Sequence, residues 1–186
     1  MQVTFYLEKA IQATGLLLRL AGGRASKMRV LKLLYIAERE SLKASGRPIC
    51  GGRLVAMDYG PLNSQILSAI QGDAQDLYSE WDSYFDNDSH DIVLKKDPGL
   101  GKLTKFEVAT LREIHSRMAG WSDGQIVDFC HTLTEYRKNE PPEGSRREIT
   151  WEDMLDALDM SRAAEAVQEE IFAKSAAECF LSSVTN

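Results

Sequence analysis

With 186 residues, 44% of them hydrophobic and 27% charged, the chain is long enough to bury a sizeable core as one domain, and its composition excludes wholesale disorder. A net charge of −6 and a pI near 5.2 disfavour general affinity for a phosphate backbone. Three widely spaced cysteines, Cys50, Cys130 and Cys179, contain no CxxC pair, which excludes a disulfide framework or zinc knuckle and fits reduced thiols in a cytoplasm.

No stretch approaches the ~20 apolar residues of a membrane span. Residues 1–21 are interrupted by Glu8, Lys9 and Arg19 and lack the apolar core of a signal peptide. Leu7, Ile11 and Leu18 recur at helical spacing, widened by Leu16 and Leu17, and predict an amphipathic helix that Gly22-Gly23 stops. Ser26 is positioned to cap a second helix whose stripe is Met28, Leu31, Leu34, Tyr35 and Leu42. Lys27, Arg29, Lys32, Glu38, Arg39 and Lys43 fall mostly on its other faces. Gly46 ends it and Pro48 prevents its resumption.

After the Gly51-Gly52 turn, Leu54 to Met57 reads as a short strand or an extended loop. Gly60-Pro61 predicts the start of a helix carrying Leu62, Ile66 and Ile70 and ending at Gly72. Between Glu80 and Lys96, alternation around Trp81 and Phe85, a turn at Asp86-Asn87-Asp88-Ser89 and the run Ile92-Val93-Leu94 predict a small β-hairpin. Its Trp81 and Phe85 would cover the core while Tyr84 faces water. Capping boxes at Thr104/Glu107 and Ser122/Gln125 open two further helices, and Thr150 with Asp153 opens a short one through Leu158. Residues 138–147 read as a surface loop, and residues 162–180, rich in Ala and Glu, as a final helix. The expected fold is mainly α, one compact helical domain of about six to seven helices with a small β-hairpin. Residues 1–160 form the domain and residues 161–186 a helical extension packing on it.

No catalytic or metal-binding constellation is legible. His90, His115 and His131 form no HExxH pair. Cys130 and His131 are helix neighbours that point about 100° apart, too divergent for a thiolate–imidazolium couple. Asp82, Asp86, Asp88 and Asp91 lack the glycine and the late glutamate of a calcium loop and read as a solvated turn. The glycine pairs match neither a P-loop nor a dinucleotide fingerprint. The chain therefore reads as a binding protein without cofactor or metal, not as an enzyme. Arg24, Lys27, Arg29 and Lys32 do group at one helix start, which is the feature a DNA contact would need.

Three motifs occur in order: Lys32-Leu33-Leu34-Tyr35-Ile36-Ala37-Glu38, Gly46-Arg47-Pro48-Ile49, and Ala56-Met57-Asp58-Tyr59-Gly60-Pro61. Together they resemble the Panacea domain, the SocA-like antitoxin family also linked to the phage-associated protein GepA. The likeness continues more weakly through Leu103-Thr104, residues 122–132 and Ile149-Thr150-Trp151. It implies an antitoxin of a bacterial or prophage toxin–antitoxin pair, one that binds and neutralises a cognate protein toxin. Neutralisation would proceed by occlusion or by delivery to a ClpXP-type protease, and the chain could self-associate. The alternative is a DNA-binding autoregulator of the same operon. The motif maps onto Lys32, Tyr35, Gly46, Pro48, Tyr59, Gly60 and Pro61, as structural or interface positions rather than catalytic ones.

Overall fold

The computed structural model describes residues 3–73 and 75–160, with the side chains of residues 75–78 left aside. The expected C-terminal helix and Cys179 lie outside the described residues.

Helix α1 (Leu7–Leu20) precedes strand β1 (Arg24–Ser26) and helix α2 (Lys27–Ser45). Ser26 caps α2 as its sequence position predicts, its hydroxyl accepting from the Arg29 amide. Gly46, in the left-handed conformation, closes it. Every residue from Val30 to Glu38 is buried. A helix covered on all sides has no solvent face, so α2 is a central post and not the amphipathic surface helix its stripe suggested. Lys32, Glu38 and, in part, Arg39 are therefore taken into the interior, although they fall mostly on faces other than the apolar stripe.

Strands β2 (Leu54–Met57) and β3 (Gly60–Asn63) form an antiparallel hairpin in which Ala56 faces Pro61. The sequence placed Pro61 at the start of a helix. It stands in β3 instead, and α3 (Ser64–Gln71) begins three residues later. Two causes combine: β3 is an edge strand, where a residue without N–H is tolerated, and Asn63 supplies a better cap. The Asn63 side chain accepts from the amides of Gln65 and Ile66.

Trp81 belongs to α4 (Gln75–Asp82), not to the hairpin, which starts at Phe85. Both rings are buried, 4.6 Å apart, so the apparent alternation reflects a helix end and a strand start packing together. The hairpin itself, β4 (Phe85–Asp88) and β5 (Asp91–Leu94), forms as expected. It gains β1 on its other edge, in the order β1-β5-β4. Tyr84 is half-buried and carries the Lys96 ammonium 5.6 Å from its ring centroid.

Helices α5 (Lys105–Arg117), α6 (Asp123–His131) and α8 (Trp151–Ala157) each begin with the expected capping box. The short α7 (Thr134–Lys138) follows α6. The loop expected up to residue 147 gives way to strand β6 (Arg146–Ile149), which pairs with β2 and completes a second sheet in the order β3-β2-β6. The described residues thus hold eight helices and two three-stranded sheets, mostly α with small β parts rather than a helical domain with one hairpin.

Strand β2 separates two cores by its pleat. Val55 faces the larger one, with α1, α3 and α5, whereas Leu54 and Ala56 face a smaller one. Tyr35, Leu42, Tyr136, Trp151 and Met154 fill the smaller core.

Candidate functional site

On a helix, residues 32, 35 and 39 fall on one face. In α2 that face meets the β2–β3 hairpin and the segment from α6 to α7. The Lys32 ammonium, with 0% exposure, donates to the Pro61 carbonyl at 2.9 Å. The Tyr35 hydroxyl donates to Glu135 Oε1 at 3.3 Å, and Arg39 Nε donates to the same oxygen at 3.0 Å. One turn on, Glu38 accepts the backbone N–H groups of Ile49 and Cys50 at 2.7 and 2.5 Å, fixing the Pro48 turn.

Burial dominates the electrostatics. It pulls the Lys32 ammonium down to a pKa of about 8, against an opposing pull from Cys130. It pushes Glu38 up to about 7, although the two amides favour its charged form. The Cys130 thiol is pushed up to about 11, and Tyr35 rises well above its ordinary value from burial and the nearby Glu135. Both buried thiols, Cys50 and Cys130, are thereby held protonated, the opposite of an activated nucleophile.

The hairpin tip lies directly on this cluster. Gly60 has φ +92°, and a Cβ there would sit 3.2 Å from Cys130 Cβ, 3.4 Å from His131 Cδ2 and 3.5 Å from Lys32 Nζ. The His131 ring stacks on Tyr136 at 4.8 Å, and the Tyr136 hydroxyl donates to the Met57 carbonyl at 3.1 Å. Asp58 accepts the Gly144 amide, which ties the turn to the loop before β6. Sequence reasoning missed Glu135 and Tyr136, and no local signal marks either. Glu38 was within the quoted motif, and its one-turn spacing from Tyr35 was the available sign.

Of the motif residues, Lys32, Tyr35, Gly46, Pro48, Gly60 and Pro61 all serve internal contacts or turns. Tyr59 differs: it is 66% exposed at the hairpin tip. The basic group at the start of α2 is engaged by neighbouring carboxylates and carbonyls. Arg24 pairs with Asp88 and, at 3.0 Å, with Asp91. Lys27 donates to the Ser89 carbonyl, and Arg29 binds Asp123 and the Trp121 carbonyl. Lys27, Arg29 and Lys32 therefore do not present one cationic surface. The acidic turn is solvated, as expected, with Asp86 and Asp88 exposed. His115 is only partly buried. No group of three metal-ligating side chains comes together among the described residues. A cleft of about 410 Å³ lies between Arg53, Gln65, Glu148 and Trp151, with no histidine or cysteine in its lining among the described residues. No helix among the described residues is long and apolar enough to cross a membrane.

The network around α2 is thus a scaffold of buried polar contacts. Residues 30–136, more than half of the chain, match the model of the family described as antitoxin SocA-like, Panacea domain, and the chain belongs to that family. The match runs from α2 to Tyr136 and so spans the contacts of Lys32, Tyr35, Glu38, Arg39 and Gly60 and the Tyr136 bond to Met57, but not the Gly144 tie or the pairs made by Arg24, Lys27 and Arg29. No curated protein and no solved structure matches the chain significantly.

Proposed function

We propose that this chain neutralises a cognate protein toxin encoded beside it by binding that toxin directly. Membership of the SocA-like antitoxin family carries the reading. The internal commitment of the buried Lys32, Tyr35 and Glu38 supports it, because those polar groups already serve neighbouring side chains and the backbone and leave the surface to meet a partner. The proposed action is binding, with no chemical step by this chain.

Co-expression with the neighbouring gene product tests the proposal. That product should arrest growth alone and be tolerated when this chain is present. A neighbour that is harmless alone, or stays toxic beside this chain, overturns it. Toxin abundance separates the two routes: occlusion leaves its level unchanged, whereas delivery to a ClpXP-type protease lowers it in cells that hold the protease.

A further inference from the structure

Tyr59 is the one motif residue whose side chain the fold does not use. Its phenol makes no hydrogen bond and its ring no aromatic or cation contact among the described residues, and it exposes more of itself than Leu20 or Phe106, the other exposed large apolar residues. An aromatic side chain in water at the end of a floppy loop would be unremarkable. This one stands on a braced turn. Lys32 holds Pro61 from below, Tyr136 holds Met57, Asp58 holds Gly144, and Gly60 is pressed against Cys130. The backbone that carries Tyr59 is therefore fixed before any partner arrives, which reduces the ordering cost of binding.

The rim of the turn is acidic. Asp58 and Glu140 both lie close enough to the Tyr136 hydroxyl to raise its pKa alongside burial, and Glu143 precedes the amide that Asp58 holds. Arg146, across the ladder from Met57, is the nearest cation by register, while Arg137 gives its Nε to the His131 carbonyl. Three carboxylates against two arginines, on a chain of net charge −6, leave the rim acidic and complement a basic surface.

We infer that Tyr59 is the docking anchor of this chain, entering an apolar pocket on a partner protein edged by lysine or arginine. The inference rests on the antitoxin reading and names its contact surface.

The test uses the neighbouring gene product, purified from the co-expressed complex by denaturation and refolding, and measures its Kd for the full chain and for variants. Tyr59→Ala should weaken binding at least tenfold, about the effect of losing an interface anchor. Glu140→Lys should weaken it several-fold, with the loss growing at low salt. Phe106→Ala, on α5, should bind as the parent does. Because Tyr59 is exposed, its variant should melt at the parent temperature, which separates lost contact from lost fold. Parent-like binding by Tyr59→Ala overturns the anchor while leaving the antitoxin reading intact. Failure of the unmutated chain to bind or protect overturns both.

Discussion

Lys32 and Pro61 are joined by a hydrogen bond of 2.9 Å from a fully buried ammonium to a main-chain carbonyl, and this bond fastens the β2–β3 hairpin to the central helix. A charge in that position opposes folding. The folded pKa of about 8 lies below the ordinary 10.5, so the unfolded chain binds more protons between those values. Lys32 therefore adds stability as pH rises from about 8 to 10.5, by about 3 kcal/mol at most, and withholds it below 8. Lys32→Met keeps the stem and removes the titration. Urea unfolding should show its stability deficit relative to the parent widening across that interval, and a constant deficit would contradict the buried charge.

Glu38 has the opposite sign. Its folded pKa of about 7 lies above the ordinary 4.5, so the folded chain binds more protons between them. The contribution is fully present below 4.5 and is lost as pH rises through 7, again by about 3 kcal/mol. Glu38→Gln should therefore lose more stability relative to the parent at pH 4.5 than at pH 8. Glu38→Ala should be worse throughout, by about 3 kcal/mol or more, because the amides of Ile49 and Cys50 lose their acceptor.

Gly60 and Gly72 both adopt positive φ, at +92° and +75°, but only Gly60 touches its surroundings. Gly72→Ala should cost about 1 kcal/mol, from backbone strain alone. Gly60→Ala should cost roughly 1–2 kcal/mol more, as Cys130 is pushed aside. Equal melting-point losses in the two variants would mean that the hairpin tip does not press on α6.

Lys9 and Glu107 form a mostly buried ion pair at 2.6 Å, and Glu107 also accepts the Thr104 amide in the capping box of α5. Removing only the acid strands the ammonium, so Glu107→Ala should cost about 3–5 kcal/mol. Lys9→Met combined with Glu107→Gln removes both charges and keeps a capping side chain, and it should recover more than half of that loss. The check is a set of urea midpoints with unchanged slopes. A double variant as weak as Glu107→Ala would rule out the stranded charge as the source of the loss.

The sequence by itself determined what lies within one turn of chain. Ser26, Thr104, Ser122 and Thr150 cap their helices because each hydroxyl meets an amide three residues on, and that spacing is fixed by helix geometry alone. The ordered motifs likewise sufficed to point to the family. Tertiary structure alone decided the fate of the polar residues in α2. Lys32 and Glu38 look like a solvated face until the hairpin, the Pro48 turn and the segment around Glu135 close around them. Glu135 is 100 residues from Tyr35, and β6 is about 90 from β2, so no local pattern could announce either meeting. Pro61 was misplaced for the same reason, since its tolerance in β3 depends on an edge that exists only once the sheet has formed. Tyr59 lay in a legible motif, but its exposure became visible only once the hairpin had been placed against α2 and α6.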